Sequence, residues 1–282
     1  MRWSFQNYIM LKSSRKKLIA IGCSFTEHYL NNPMSPDFDH NFPRWPQHLA
    51  DKLDMECVNL GAAGQGNEYI LSKLIDTVLS EKNIGLVVLM WSEWIRQDFQ
   101  DPANGWYSFH PHRDNSETEK YPIDSKSRNS ILQYNNTYDV TMKSLRHFLI
   151  AQMLLKDIPY LMIQGTSPLK GKFPGSNAPD LQLVGDVLLT RSQQRRKNQR
   201  AAFKLAINAM IDSKIFNEIN PDQFIGWPIL KQIGGYTVID ILDKVDPERK
   251  QLRISDEDSH PNAEGHKIIA QEIYNAYKKI YI

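Results

Sequence analysis

Cysteine is scarce in this chain. Its 282 residues include two, Cys23 and Cys57, and no Cys-x-x-Cys pair, which excludes a disulfide framework and a paired-thiolate zinc site and fits a reducing compartment. Long hydrophobic runs are also missing. The longest, Leu86 to Trp91, falls far short of the roughly 20 residues a spanning helix requires. Neither sign of charge dominates: 34 Lys and Arg face 32 Asp and Glu, a formal +2, so charge points to neither a nucleic-acid nor a membrane partner. The opening stretch to Lys17 mixes aromatic and polar residues ahead of Arg15-Lys16-Lys17. It has no clean apolar segment closed by a small-residue cleavage site, so a cytoplasmic protein is expected. Repeats and low-complexity tracts are absent. With 41% apolar and 23% charged residues the composition is that of an ordinary folded protein, excluding disordered, collagen-like and heptad chains.

What is present is alternation. Leu18-Ile19-Ala20-Ile21 closes on Gly22 and reads as a strand buried on both faces. Trp45, His48, Leu49 and Lys52 fall at helical spacing, and Cys57-Val58-Asn59-Leu60 runs into Gly61 as a second strand. Leu71, Leu74, Ile75 and Val78 mark a helix before the strand Leu86 to Met90. Met142, Leu145, Leu149 and Met153 mark another before the strand Tyr160 to Ile163. Phe203, Ile207, Met210 and Ile211 give a further helix. Thr237 to Ile241 reads as a fifth strand, and Ile269, Ile273, Ala276 and Ile280 form a closing helix. Such β-then-α order predicts one domain over 1–282 with a parallel sheet of about five strands, helices on both faces, and functional groups at the carboxyl ends of the strands. Three stretches near 97–136, 167–198 and 217–236 fall outside the repeating unit and read as insertions on one rim.

Ser24 stands just past the first strand in Gly22-Cys23-Ser24-Phe25-Thr26, where a hydroxyl is presented at the sheet's functional edge. A serine hydroxyl is a poor nucleophile at neutral pH and needs a base and a group to orient that base. His260 is the candidate base, in a loop that Pro261 is expected to end by opening the last helix. Asp256, Glu257 and Asp258 precede it closely enough to fix its tautomer. His266 lies inside that helix and reads as structural.

Gly22-Cys23-Ser24-Phe25-Thr26 resembles the first sequence block of the SGNH, or GDSL-like, hydrolases, and residues 259 to 266, from Ser259 through His266, resemble the last. Asn59-Leu60-Gly61-Ala62-Ala63-Gly64 resembles the second block, and the three follow in the family's order. The resemblance implies a flavodoxin-like, three-layer α/β/α sandwich and a serine hydrolase that cleaves an ester, an esterase or deacetylase whose substrate is a small molecule or an acylated carbohydrate, with no cofactor. It makes Ser24 the nucleophile, His260 the general base, and the backbone amides of Ser24 and Gly64 donors to the oxyanion. Amides aimed at that oxygen are worth a few kcal/mol of barrier each, about 3 where tested.

Two positions depart from the family. In place of the asparagine that follows the third strand stand Met90-Trp91-Ser92-Glu93, leaving Ser92 or Asn67 to supply the third donor. A degenerate SGNH fold serving as a binding or virion-assembly module is therefore the alternative. The acid, usually three residues before the histidine, is here Glu257. Asp258 lies two before, a spacing that resembles SGNH-like acetyltransferases, and its shorter side chain reaches the ring without folding back.

The remaining signals are weaker. Cys23 adjoins Ser24, but neighbours in extended chain point to opposite sides, so the thiol is expected to pack inward. Gly61, Gly64 and Gly66 reverse the dinucleotide order of glycines. His110 and His112 lack further ligands at metal spacing, and no metal is expected. Arg191, Arg195, Arg196, Lys197 and Arg200 form a basic run ahead of a helix. Trp91, Trp94 and Arg96 follow the third strand, where they could line a rim that binds a sugar or a carboxylate; core packing of the two indoles is the competing reading.

Overall fold

A computed structural model describes residues 15–32, 35–103, 105–110, 127, 130–131, 136–169, 181–184, 187–256 and 258–282, and over 181–199 it describes the backbone. In chain order, β1 (Lys17–Ile21), α1 (Trp45–Leu53), β2 (Glu56–Asn59), α2 (Asn67–Ser80) and β3 (Ile84–Trp91) form the first half. A hairpin of β4 (Gln97–Asp101) and β5 (Gly105–Phe109) follows, then α3 (Thr137–Leu154), β6 (Tyr160–Gln164) and a second hairpin of β7 (Leu181–Val184) and β8 (Val187–Thr190). The chain closes with α4 (Arg191–Ile211), α5 (Lys214–Glu218), β9 (Phe224–Ile225), α6 (Val238–Val245) and α7 (Ala263–Tyr281).

Five strands pair in parallel in the order β2-β1-β3-β6-β9. Because successive strand residues point to opposite faces, each apolar strand feeds two cores. Ile19, Ile21, Val87, Leu89, Tyr160 and Met162 pack with α2, α3 and α4. Leu18, Ala20, Leu86, Val88, Leu161 and Ile163 pack with α1, α6 and α7. That is a three-layer α/β/α sandwich, and the continuous apolar runs of β1, β3 and β6 are what let both faces be covered.

The fifth strand is not where periodicity put it. Residues Thr237 to Ile241 begin α6, because Thr237 and Asp240 form a reciprocal capping box: Thr237 N–H donates to Asp240 Oδ2 at 2.9 Å while the Thr237 hydroxyl oxygen accepts from Asp240 N–H. The edge strand is Phe224–Ile225, inside the stretch expected as the third insertion, and too short to show a period. The start of α7 also shifts. The helix opens at Ala263, two residues past Pro261, and Asn262 caps it, accepting at Oδ1 from the amides of Glu264 and Gly265, both at 3.1 Å. The basic run lies within α4 rather than ahead of it. Among the described residues, no helix is long and apolar enough to cross a membrane.

Candidate active site

The carboxyl ends of β1, β2 and β3 lie side by side, and the chain leaves each in a tight turn. After β1, Thr26 and Glu27 donate from their amides to the Cys23 carbonyl at 2.8 and 3.0 Å. A Cβ on Gly22 would fall 2.2 Å from Thr26 Oγ1 and 3.1 Å from the Met90 carbonyl, so glycine is required there. Alternation across this turn buries Cys23 in the α1/α7 core and leaves Ser24 half-exposed at the rim.

His260 arrives from the other end of the chain. Its loop is folded on itself: Ile254 N–H donates to the His260 carbonyl at 3.0 Å, and Asp258 N–H to Ser255 Oγ at 3.0 Å. The ring packs edge-on against Phe25, with centroids 5.3 Å apart. His260 Nε2 lies 2.8 Å from Ser24 Oγ, 236 positions away in sequence, and Nδ1 lies 2.5 Å from Asp258 Oδ1.

Asp258 is fully buried, and every contact on its carboxylate is a donor. Oδ1 takes the His260 ring and the His260 N–H at 3.1 Å; Oδ2 takes Asn32 Nδ2 at 2.7 Å and Ser35 Oγ at 2.8 Å. Burial alone would push this carboxyl up, but the hydrogen bond and charge of His260, its backbone amide and the Ser35 hydroxyl outweigh it and hold the group down at about 2. Ionised, Asp258 can only accept, so Nδ1 of His260 carries the proton and Nε2 turns its lone pair to Ser24. Behind Ser35 stands buried His40, whose Nε2 is 3.1 Å from both Oγ and the carbonyl of Ser35. Since the Ser35 hydroxyl gives its proton to Asp258, Nε2 of His40 is the donor in this pair. Glu257, the other candidate acid, lies outside the described residues.

The glycine loop after β2 is tied to the Ser24 turn. Leu60 and Ala62 donate to the carbonyls of Ala20 and Gly22 at 2.8 and 3.0 Å, extending the β1–β2 ladder past the strands. Asn59 bridges the two turns, donating to the Thr26 carbonyl at 2.7 Å and accepting from Gly61 N–H at 2.9 Å. Gly64 has φ +78°, a left-handed conformation that favours glycine. Asn67 opens α2 in a buried position; its Oδ1 accepts from Ser92 N–H at 2.8 Å, which leaves its amide hydrogens as the donors it can offer elsewhere. Ser92 is fully buried, and its carbonyl accepts from Gln164 Nε2 at 2.8 Å.

The rim expected from Trp91, Trp94 and Arg96 is corrected. The indoles are 0% and 3% exposed and pack on Phe148 with ring centroids 5.0 and 6.3 Å away, so neither offers a face to a sugar. Arg96 is buried against Glu93 at 3.2 Å, and so is not open to a substrate carboxylate. Trp91 is the last ladder residue of β3, and Trp94 continues the same core past it. His266 is buried and held neutral, first by burial and then by the charge of Arg44; its Nδ1 accepts from Trp45 N–H at 3.2 Å. His110 contacts Gly64, while His112 lies outside the described residues. Among the described residues, no three His, Cys, Asp or Glu side chains gather as a metal site.

Sequence reading missed Asn32, Ser35, His40 and Glu27, and weighed His110 only as a metal ligand. All sit in irregular segments or at their ends, where neither period nor spacing marks them.

No family model and no curated protein sequence matches the chain. Among solved structures it is similar to an acetyl xylan esterase from Geobacillus stearothermophilus, at 13% identity over 93% of this chain and 94% of that one, with TM-score 0.45. It is also similar to a member of the lipolytic protein G-D-S-L family from Veillonella parvula DSM 2008, at 12% identity over 94% and 98%, with TM-score 0.40. A third likeness is to a carbohydrate acetylesterase family member from Sinorhizobium meliloti, at 12% identity over 94% and 98%, with TM-score 0.40.

Proposed function

We propose that the chain is a serine hydrolase of the SGNH type that cleaves a small acyl group from an ester of a small molecule or carbohydrate. The observation that carries this reading is the continuous contact of Ser24 Oγ, His260 and a buried, ionised Asp258. A hydroxyl, a base with its lone pair on that hydroxyl and a carboxylate fixing the base's tautomer are what acyl transfer to serine requires.

In this mechanism Ser24 Oγ attacks the ester carbon while its proton passes to His260 Nε2, and the imidazolium is stabilised by Asp258. The amides of Ser24 and Gly64 receive the oxyanion, with Asn67 Nδ2 or the Ser92 hydroxyl as the third donor. His260 then returns the proton to the departing alkoxide, and water activated by the same ring releases the acyl group from Ser24. No step draws on a cofactor.

The absence of an asparagine at Met90-Trp91-Ser92-Glu93 favours the second reading, a degenerate fold used for binding or particle assembly. Treatment of the folded protein with a fluorophosphonate separates the two. Covalent labelling that disappears in Ser24→Ala, with turnover of an activated acetyl ester, supports the hydrolase. Folded protein that neither labels nor turns over the ester supports the binding module.

A further inference from the structure

The hairpin of β4 and β5 matches no sequence block, yet it and the residues flanking it meet the glycine loop at Gly64, Gln65 and Gly66. His110, at the hairpin's end, is buried, and its Nε2 lies 2.7 Å from the Gly64 carbonyl; a carbonyl only accepts, so Nε2 carries the hydrogen. Arg96, at the hairpin's start, donates from Nη1 to the Gln65 carbonyl at 3.0 Å. Gln65 Nε2 donates in turn to the Trp106 carbonyl at 3.3 Å. Asp98 takes Gly66 N–H on one carboxylate oxygen at 2.7 Å and Tyr69 N–H on the other at 2.9 Å. On the opposite side of Gly64, Ala63 N–H donates to Glu27 Oε2 at 2.6 Å.

The Gly64 amide therefore sits between two immobilised neighbours, Ala63 N–H before it and its own carbonyl after it. Capping of α2 accounts for the contacts of Asp98, but not for the donors that His110 and Arg96 aim at carbonyls ahead of the helix. Space does not explain the glycine either: a Cβ on Gly64 would meet His110 Nε2 at an ordinary 3.5 Å, so the left-handed φ is the feature that demands it. A turn bond from Gln65 N–H to the Ala62 carbonyl at 3.3 Å bends the chain at Gly64, and the two external anchors hold that turn in place.

We infer that the β4–β5 hairpin is the element that orients the Gly64 N–H toward the oxyanion, with His110 as its positioning residue. This rests on the hydrolase reading above and extends it. The device supplies preorganisation where the family's asparagine is missing: a backbone donor held in place costs no reorganisation when charge develops.

The test compares His110→Ala and His110→Gln in the full chain, using p-nitrophenyl acetate turnover and amide hydrogen exchange over residues 63–66. Glutamine places an N–H donor near the position of the histidine Nε2. Loss of the His110 donor is expected to lower kcat by about 10- to 100-fold with KM within about twofold, and to speed exchange over 63–66; His110→Gln should recover most of both. His110→Asn, whose donor falls short, replaces the alanine variant if that fails to fold. Unchanged kcat in an active protein, or unchanged exchange over 63–66 in any folded protein, overturns the inference. If the wild-type chain never turns over ester, the hydrolase reading falls, and the exchange comparison alone decides whether His110 holds the loop.

Discussion

Asp258 and His260 meet twice. The ring Nδ1 of His260 and its backbone N–H both reach Asp258 Oδ1, at 2.5 and 3.1 Å, so two residues of sequence close a small ring around one carboxylate oxygen. Imidazole and carboxylate are thereby brought together by the same turn, and Asn32 and Ser35, from the other end of the chain, hold the second carboxylate oxygen.

Replacing Asp258 by asparagine should reverse the tautomer preference of His260 and lower ester turnover by about 1,000- to 10,000-fold, while Glu257→Gln retains most of it. Steady-state kinetics of the two variants decide the matter. Full activity in Asp258→Asn together with loss in Glu257→Gln would transfer the orienting role to Glu257.

The acid limb of the pH profile reports the general base and, through it, the carboxylate it touches. Ser35 and Asn32 draw charge from Asp258 Oδ2, so Ser35→Ala leaves a stronger acceptor facing the ring, and the acidic limb of kcat/KM should move to higher pH. An unmoved limb with normal folding would dissociate Ser35 from the site. Stability has its own sign. With the native carboxyl lowered to about 2 from an ordinary 3.8, its contribution of about 2 kcal/mol is fully present above pH ~4 and lost as pH falls toward 2. Urea unfolding at pH 6 and pH 3 should show the wild-type advantage over Asp258→Asn shrinking in acid.

Asn67→Asp separates the two ends of one amide. An aspartate still accepts Ser92 N–H, so thermal stability should hold, but it has no hydrogens to give, and kcat should drop about 100-fold or more if Asn67 supplies the third donor. Asn67→Ala should also cost stability, about 1–3 kcal/mol, by stranding the buried Ser92 amide. Turnover unaffected by Asn67→Asp, with a loss in Ser92→Ala, would assign the donor to the hydroxyl.

Trp91→Ala tests the corrected rim. Its indole is wholly buried against Phe148, and truncation should destabilise the fold by about 3–5 kcal/mol, measured by denaturant unfolding, with KM near wild type in what remains folded. A stable variant with raised KM would restore the substrate platform.

The layers were legible because β1, β3 and β6 are apolar on both faces, as the strands of a parallel sheet covered on both sides are. Residues Ser24, His260 and Asp258 were each named from short motifs, and their convergence is a fact of topology: β1 is an interior strand between β2 and β3, and the loop before α7 folds back over its end. The edge strand was illegible because Phe224 and Ile225 carry no period. The apolar residues of Thr237 to Ile241 suggested a strand where the spacing of Thr237 and Asp240 spelled a helix cap. The fate of Trp91 and Trp94 depended on how far α3 and its Phe148 extend over the sheet, which no local pattern encodes. His110 was visible only as a would-be metal ligand, since a side chain that serves a carbonyl leaves no mark in sequence.

The hydrogen bonds of Leu60 and Ala62 carry the β1–β2 ladder into the glycine turn, so the Ser24 turn and the glycine turn are braced as one unit. A displacement of this rim would then carry both turns together. In the proposed mechanism the spacing of Ser24 Oγ and the Gly64 amide is then set within that unit, whereas the His260 imidazole comes from a different loop.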